Sequence, residues 1–338
     1  MPRIRLGETI LPDFPVMLAP MEDVSDPPFR RICRRLGADM VFTEFISSEG
    51  LIRNAEQSSR KLDIFDDERP VGIQIFGGEA EPMLAAATIA QQVSPTVIDI
   101  NYGCPVYRVV NKGAGAAILQ DIDKMENLTR KIVKQVKLPV TVKTRLGWDA
   151  SSIQIKEVAR RLQDAGIAML TVHFRTRKQM YKGAADWTWM RRLKEDPNIT
   201  IPIIGNGDID CPEKALQARD DYGADGVMIG RAAIGNPWIF REIKYFLQTG
   251  RKLPPPSLKE RVRVCREHLM ESVKWKGERR AVLEMRKHYR NYFRGLPDFK
   301  SFRIRLVEAL TANAVIDVLE EILHGYAGTL VNSSVMTT

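Results

Sequence analysis

The chain has 338 residues, 44% of them hydrophobic and 28% charged, proportions ordinary for a soluble globular protein. No apolar run approaches the roughly 18 residues that a membrane span needs, and the N-terminus MPRIRLGETILPDFP lacks the long apolar core of a secretory signal, so a cytoplasmic protein without membrane contact is expected. The net charge is +9, and residues 251–300 alone hold 15 Lys or Arg against 6 Asp or Glu, so the rest of the chain sums to about zero.

In chain order, eight short β-branched runs alternate with amphipathic helical stretches: Val16–Pro20, Met40–Glu44, Val71–Phe76, Val97–Asn101, Val140–Thr144, Met169–His173, Ile201–Asn206 and Gly226–Gly230. The helical patterns between them include Glu81–Gln92, Lys124–Val136, Ile153–Ala165 and Pro212–Tyr222. Strands alternating with helices imply βαβ units and a parallel sheet. Eight repeats favour closure into a (β/α)8 TIM barrel, which takes about 250 residues. No GxGxxG follows the first run, which weakens a doubly wound sheet. The tract Leu253-Pro254-Pro255-Pro256-Ser257 breaks both periodicities and marks a domain boundary. Beyond it only helical patterns remain, at Leu258–Trp275, Glu278–Phe293, Phe299–Ala309 and Ala314–His324. The expected organisation is therefore a TIM-barrel domain over residues 1–250, a smaller all-helical domain over 251–330, and a disordered tail over 331–338. A basic excess localised to residues 251–300 suggests a polyanionic partner. The alternative is a solvated helical surface that happens to be basic.

A TIM barrel carries its active site at the C-terminal ends of the strands, and nearly every run here ends in a polar or glycine-rich cluster. Gly205-Asn206-Gly207-Asp208 and Gly230-Arg231 end the last two runs. Such turns let backbone N–H groups approach a phosphate, with Arg231 adding charge-assisted bonds. The phosphate could belong to a substrate or to a cofactor. Lys143 sits in the otherwise apolar run Val140–Thr144, where a lysine needs a negative partner such as a reduced flavin; a Schiff-base lysine is the competing reading. Gln74, Asn101 and Asn206 are short polar groups suited to the carbonyl edge of a flat heterocycle, and His173 ends the sixth run. Cys104 lies just past the fourth run, and an unperturbed thiol is protonated at neutral pH and able to act as a general acid. Cys33, Cys104, Cys211 and Cys265 lie far apart without a CxxC pair, so neither a metal site nor a disulfide is expected.

Taken in order, the motifs resemble those of the tRNA-dihydrouridine synthases, most closely the bacterial B-type branch. They are Ala19-Pro20-Met21 with Asp26-Pro27-Pro28-Phe29-Arg30, Gln74-Ile75-Phe76-Gly77, Asn101-Tyr102-Gly103-Cys104-Pro105, and Lys143-Thr144-Arg145-Leu146-Gly147-Trp148. Thr171-Val172-His173, Arg175-Thr176-Arg177, Gln179-Met180-Tyr181-Lys182-Gly183, Gly205-Asn206-Gly207-Asp208-Ile209 and Gly230-Arg231 follow, so the resemblance spans about residues 15–325. It implies FMN, with its phosphate on Asn206, Gly207, Asp208, Gly230 and Arg231, and its ring and ribityl parts held by Pro20, Met21, Glu22, Gln74, Lys143 and His173. It gives Asn101, Arg145 and Tyr181 to the target uracil and makes Cys104 the proton donor. The implied reaction has NADPH reduce FMN, the flavin deliver hydride to uracil C6, and Cys104 protonate C5. The target base would be flipped out of its tRNA. The helical domain would contact tRNA phosphates through Arg279, Arg280, Arg286, Lys287 and Arg290. A monomer is expected. Phe174 stands where the family usually has glycine, and its bulk beside His173 would alter the local fit. Three other readings stay open at this point: a dihydroorotate or dihydropyrimidine dehydrogenase-like FMN enzyme, a non-catalytic RNA-binding protein, and an aldolase using Lys143.

Overall fold

The structure is a computed structural model that describes residues 3–326; the expected tail over 331–338 lies outside the described residues. The chain divides into two compact units. One takes in the residues up to Ala232 together with Ile239–Lys252, and the other Ala233–Trp238 together with the residues from Leu253 onward.

The first unit is the barrel. Its strands are β1 (Val16–Leu18), β2 (Val41–Phe42), β3 (Val71–Phe76), β4 (Val97–Tyr102), β5 (Val140–Arg145), β6 (Met169–His173), β7 (Ile203–Asn206) and β8 (Gly226–Ile229). All neighbours pair in parallel, in the order β1-β8-β7-β6-β5-β4-β3-β2. A bridge between Met17 and Met40 closes the circle, with Leu18 N–H donating to the Met40 carbonyl and Asp39 N–H to that of Val16. The helices Ala80–Gln91, Ile122–Gln135, Ile155–Asp164, Thr188–Lys194, Pro212–Asp220 and Ile239–Thr249 follow successive strands from β3 to β8. Asp26 caps the first helix, Pro27–Arg35, by accepting from Phe29 N–H, and two prolines open it where the N–H groups are spare.

One element has no counterpart in the sequence reading. Arg5–Leu6 and Thr9–Ile10 form an antiparallel hairpin. Ile4, Leu6 and Leu11 pack from it against Met17, Met40, Phe42, Val97, Met169, Ile204 and Met228. Met40, Val97, Met169 and Ile204 lie at or beside the first residues of their strands, so the hairpin stoppers that end of the barrel. Polar functions are left to the opposite mouth.

The second unit comprises Leu258–Lys276, Glu278–Tyr292, Lys300–Glu308 and Ala312–Gly325. Ser257, directly after the proline run, caps the first of these by accepting from Glu260 N–H. Val264, Leu269, Ala281, Val282, Leu306, Val315, Leu319 and Ile322 form its core. Segment 233–238 belongs here because Trp238 packs edge-on to Tyr292 at 5.8 Å, and Gly235 N–H donates to His288 Nδ1 at 3.1 Å.

Candidate active site

Alternation along each strand sends every second side chain inward, and the inward set changes from apolar at the stoppered end to polar at the other. Cross-strand register then fixes neighbours: Gln74 lies opposite Asp99, Asn101 opposite Lys143, Arg145 opposite His173, and His173 opposite Asn206.

Two connected groups result. The first begins at Asp99, which is 1% exposed and which the sequence reading gave no role. Its carboxylate accepts from Thr141 Oγ1 at 2.5 Å and from Gln74 Nε2 at 2.6 Å. Gln74 Oε1 in turn accepts from Asn101 Nδ2 at 2.7 Å, and Asn101 Oδ1 accepts from the backbone N–H groups of Gly103 and Cys104 at 2.9 and 2.8 Å. Acceptor-only carboxylate at one end and donor-only N–H at the other leave each amide a single orientation. The chain thereby seats the Cys104 loop on the strand ends. Burial pushes the Cys104 thiol above its ordinary value, although Val106 N–H and the charges of Arg145 and Lys143 pull the other way. The sulfur therefore keeps its proton at neutral pH.

The second group is cationic. Lys143 donates to Asn206 Oδ1 at 3.1 Å and has no carboxylate within ion-pair distance among the described residues. Burial, and after it the nearby charge of Arg145, push its ammonium down to about 8, against the pull of Asp99 and Cys104. Arg145 donates to the carbonyls of Gly103, Thr176 and Met180, tying the loops after β4 and β6 together, and its Nη2 has no partner among the described residues. Burial first, then the charges of Arg145, Lys143, Arg175 and Arg231, hold the His173 imidazole well below its ordinary value, so it is neutral at pH 7. Tyr181 is 53% exposed, with Arg231 4.7 Å and Arg145 5.7 Å from its ring centre and the His173 ring at 6.3 Å.

The turns after β7 and β8 complete the rim. Gly207 and Asp208 both have positive φ, 130° and 58°. A Cβ at Gly207 would lie 2.8 Å from Ala185 Cβ and 3.2 Å from His173 Cδ2, so glycine is required. At Gly230 the nearest atoms to such a Cβ are Met21 Sδ at 3.7 Å and Ala19 Cβ at 3.8 Å, so the space beside it is open. The Asp208 carboxylate is engaged by Arg175, another residue without an assigned role in the sequence reading, at 2.6 and 2.9 Å.

Pro20, Met21, Gln74, Lys143, His173, Asn206, Gly207, Asp208, Gly230, Arg231, Asn101, Arg145 and Cys104 thus all belong to one barrel mouth, with Tyr181 over it. Glu22 lies near enough to Cys104 for its charge to raise the thiol; its carboxylate pairs with Lys61 at 2.5 Å, and the same ammonium lies 3.8 Å from Glu44. Burial pushes the Glu44 carboxyl up to about 7, with Lys61 opposing. Phe174 does not crowd the mouth. It neighbours His173 in the chain, so its ring leaves by the opposite face and is fully buried 4.8 Å from Trp187. The basic residues of the helical unit divide. Arg279, Lys287 and Arg290 are exposed, whereas Arg280 is paired with Glu284 at 2.6 Å and half-buried Arg286 donates to the Ala309 carbonyl at 3.4 Å.

A half-buried ammonium without an ion-pair partner among the described residues, an open glycine and an arginine at the rim fit an anionic, phosphate-bearing ligand such as FMN. The donors Lys143 Nζ and Arg145 Nη2 suit the polar edge of a flat ring.

A family model described as dihydrouridine synthase matches residues 17–324. The tRNA-dihydrouridine synthase B of Pseudomonas putida is 41% identical over 305 residues, which covers 90% of this chain and 90% of the relative. That of Pseudomonas aeruginosa is 40% identical over 300 residues, 89% and 90% of the two chains. A probable tRNA-dihydrouridine synthase of Rickettsia bellii is 39% identical over 289 residues, 85% and 88%. Among solved structures, a 2-naphthoyl-CoA reductase complex superposes with TM-score 0.57 at 12% identity, over 72% of this chain and 51% of that one. A histamine dehydrogenase from a Rhizobium species gives 0.55 at 12%, over 79% and 50%. The chain spans about half the length of these two, and at that identity they share its fold alone. The family match runs through both units, and the chain belongs to the dihydrouridine synthase family.

Proposed function

We propose that the chain reduces a uridine of tRNA to 5,6-dihydrouridine at the C-terminal mouth of its barrel, using FMN reduced by NADPH. The observation that carries this reading is the protonated Cys104 thiol, held by Asn101 on the same rim as a cationic cradle that fits a flavin phosphate. Bound FMN supplies the hydride for uracil C6. The chain's own residues do the rest. Gly207, the turn at Asp208, Gly230, Asn206 and Arg231 hold the phosphate through backbone N–H groups and one guanidinium. Pro20, Met21, Gln74 and His173 line the ring, and Lys143 sets an ammonium against its negative charge, which is how a protein tunes a cofactor. Its amine, at about 8 without a counter-anion, gains proton affinity when one binds.

On the substrate side, Arg145 Nη2 and Asn101 meet the uracil carbonyl edge, and the exposed Tyr181 ring closes over the base. Cys104 Sγ holds the proton destined for C5. Addition at C6 leaves negative charge conjugated into the C4 carbonyl, so a neutral acid next to C5 completes the reduction. The basic face of the helical unit holds tRNA phosphates. Glu22, which follows Met21 and is paired with Lys61, would hold the cofactor beside it.

The test is the visible spectrum of the purified chain, followed by incubation with NADPH and unmodified tRNA. A flavin spectrum with dihydrouridine formation supports the reading. A flavin spectrum without it favours a free-pyrimidine reductase, and no flavin sinks the reading. Cys104→Ala is expected to keep flavin binding and its reduction by NADPH while slowing uridine reduction about 100-fold or more, the usual contribution of a positioned acid. Unchanged single-turnover uridine reduction would remove Cys104 from its role.

A further inference from the structure

The turn that offers its N–H groups to a phosphate also carries a carboxylate, Asp208, and an unpaired carboxylate there would repel the ligand. We propose that Arg175 is the positioning residue that makes this turn acceptable to a phosphate: it neutralises Asp208, turns its carboxylate inward and leaves Arg231 available to the anion. The proposal rests on the FMN reading above.

Five contacts support it. Arg175 is 2% exposed, and its Nη2 donates to both oxygens of Asp208, at 2.9 and 2.6 Å. Nη2 also lies 2.6 Å from the Gly183 carbonyl, while Nη1 is 3.3 Å from His173 Nε2. Ala185 N–H donates to Asp208 Oδ2 at 2.8 Å, so the carboxylate is held by the loop after β6. Burial pushes the Asp208 carboxyl up, but the bonds from Arg175 and Ala185 and the charges of Arg175 and Arg231 outweigh it, and it stays ionised below its ordinary range.

Arg231, by contrast, is 57% exposed and only 3.5 Å from Asp208 Oδ1, a long contact in water that gives way readily to a phosphate. Without Arg175, the same carboxylate would both oppose the phosphate and capture Arg231. The effect is electrostatic and specific to the phosphate, which separates it from a general contribution of Arg175 to folding.

Riboflavin is FMN without the phosphate, so the pair isolates this effect. Flavin-stripped full-length Arg175→Met is titrated with each by fluorescence quenching. FMN affinity is expected to fall by about 30-fold, a change of roughly 2 kcal/mol, and riboflavin affinity by less than about threefold. Arg175→Met combined with Asp208→Asn removes the stranded carboxylate and should recover most of the FMN affinity. Equal weakening of both flavins, or a double variant no better than the single one, overturns the proposal. If the single variant does not fold, the double variant decides: a wild-type preference for FMN over riboflavin supports the proposal, and loss of that preference overturns it. A wild-type chain that binds neither flavin would instead sink the FMN reading.

Discussion

At the scale of single residues, the site depends on side chains with opposite relations to burial. Cys104 benefits from it, because a desolvated thiol stays protonated. Asp99 is penalised by it: burial pushes its carboxyl up to about 6 from an ordinary 3.8, with the bonds from Thr141 and Gln74 and the charge of Lys143 opposing. The folded chain therefore holds this proton more tightly than the unfolded chain does. Stability from this group is fully present below an ordinary 3.8 and is lost progressively as pH rises to about 6 and just past it. Asp99→Asn cannot titrate, so the stability of wild type relative to the variant should fall by about 1–2 kcal/mol between pH 5 and pH 8. Urea denaturation at the two pH values measures it, and an equal difference at both would mean that Asp99 is not the titrating group. The sequence showed Cys104 and Lys143 because each interrupts a pattern, a thiol between glycine and proline or a lysine among apolar residues. Asp99 interrupts one equally, between Ile98 and Ile100, but its meaning lies in the neighbours Gln74 and Thr141 on two other strands. Arg175 was visible in a motif, yet its partner Asp208 is 33 residues away.

At the scale of elements, all eight strand positions were legible, because period-two apolar runs bounded by glycine and polar residues specify barrel strands directly. The hairpin at Arg5–Leu6 and Thr9–Ile10 was not: two-residue strands carry no periodicity, and only the barrel end they fill explains them. Segment 233–238 likewise follows β8 in sequence but packs with the helices through Trp238, a contact no local pattern encodes. The loops after β7 and β8 look alike as glycine turns, but their glycines do different jobs. Gly207→Ala forces a Cβ into Ala185 at a φ of 130° and should cost about 2 kcal/mol, a fall of roughly 4–8 °C in Tm. Gly230→Ala meets nothing closer than 3.7 Å, so Tm should hold within about 2 °C. Its methyl group would nonetheless occupy the cradle and weaken FMN binding. Thermal melts and flavin titrations of the two variants check this, and a Gly230→Ala protein that binds FMN as wild type does would place the phosphate elsewhere.

At the scale of the whole molecule, the basic excess is concentrated in one stretch of the chain. Buried Arg145 and Arg175 lie at one mouth of the barrel, and residues 251–300 carry a basic excess equal to the net +9. Within the helical unit, Arg279, Arg286 and Arg290 recur along Glu278–Tyr292 at steps of seven and four, on one helix face beside Lys287, with exposed Leu283 in their midst. Their fates differ, because Arg286 reaches the Ala309 carbonyl and Arg280, off this face, is fastened to Glu284. Arg279, Lys287 and Arg290 are the exposed cations of this group and would be the ones to meet RNA phosphates. Such contacts act by releasing counterions, each steepening the fall of affinity with salt by about 0.9 on a logarithmic scale for duplex nucleic acid. Replacing Arg279, Lys287 and Arg290 together by alanine should weaken tRNA binding and flatten that slope by roughly 2–3. Replacing Arg280 should change the slope by well under one contact's worth, since its charge is already committed to Glu284. Binding titrations over a range of salt concentrations distinguish the two. A triple variant with the wild-type slope would show that this helix face does not meet the RNA backbone, and the basic excess would then be a solvated surface after all.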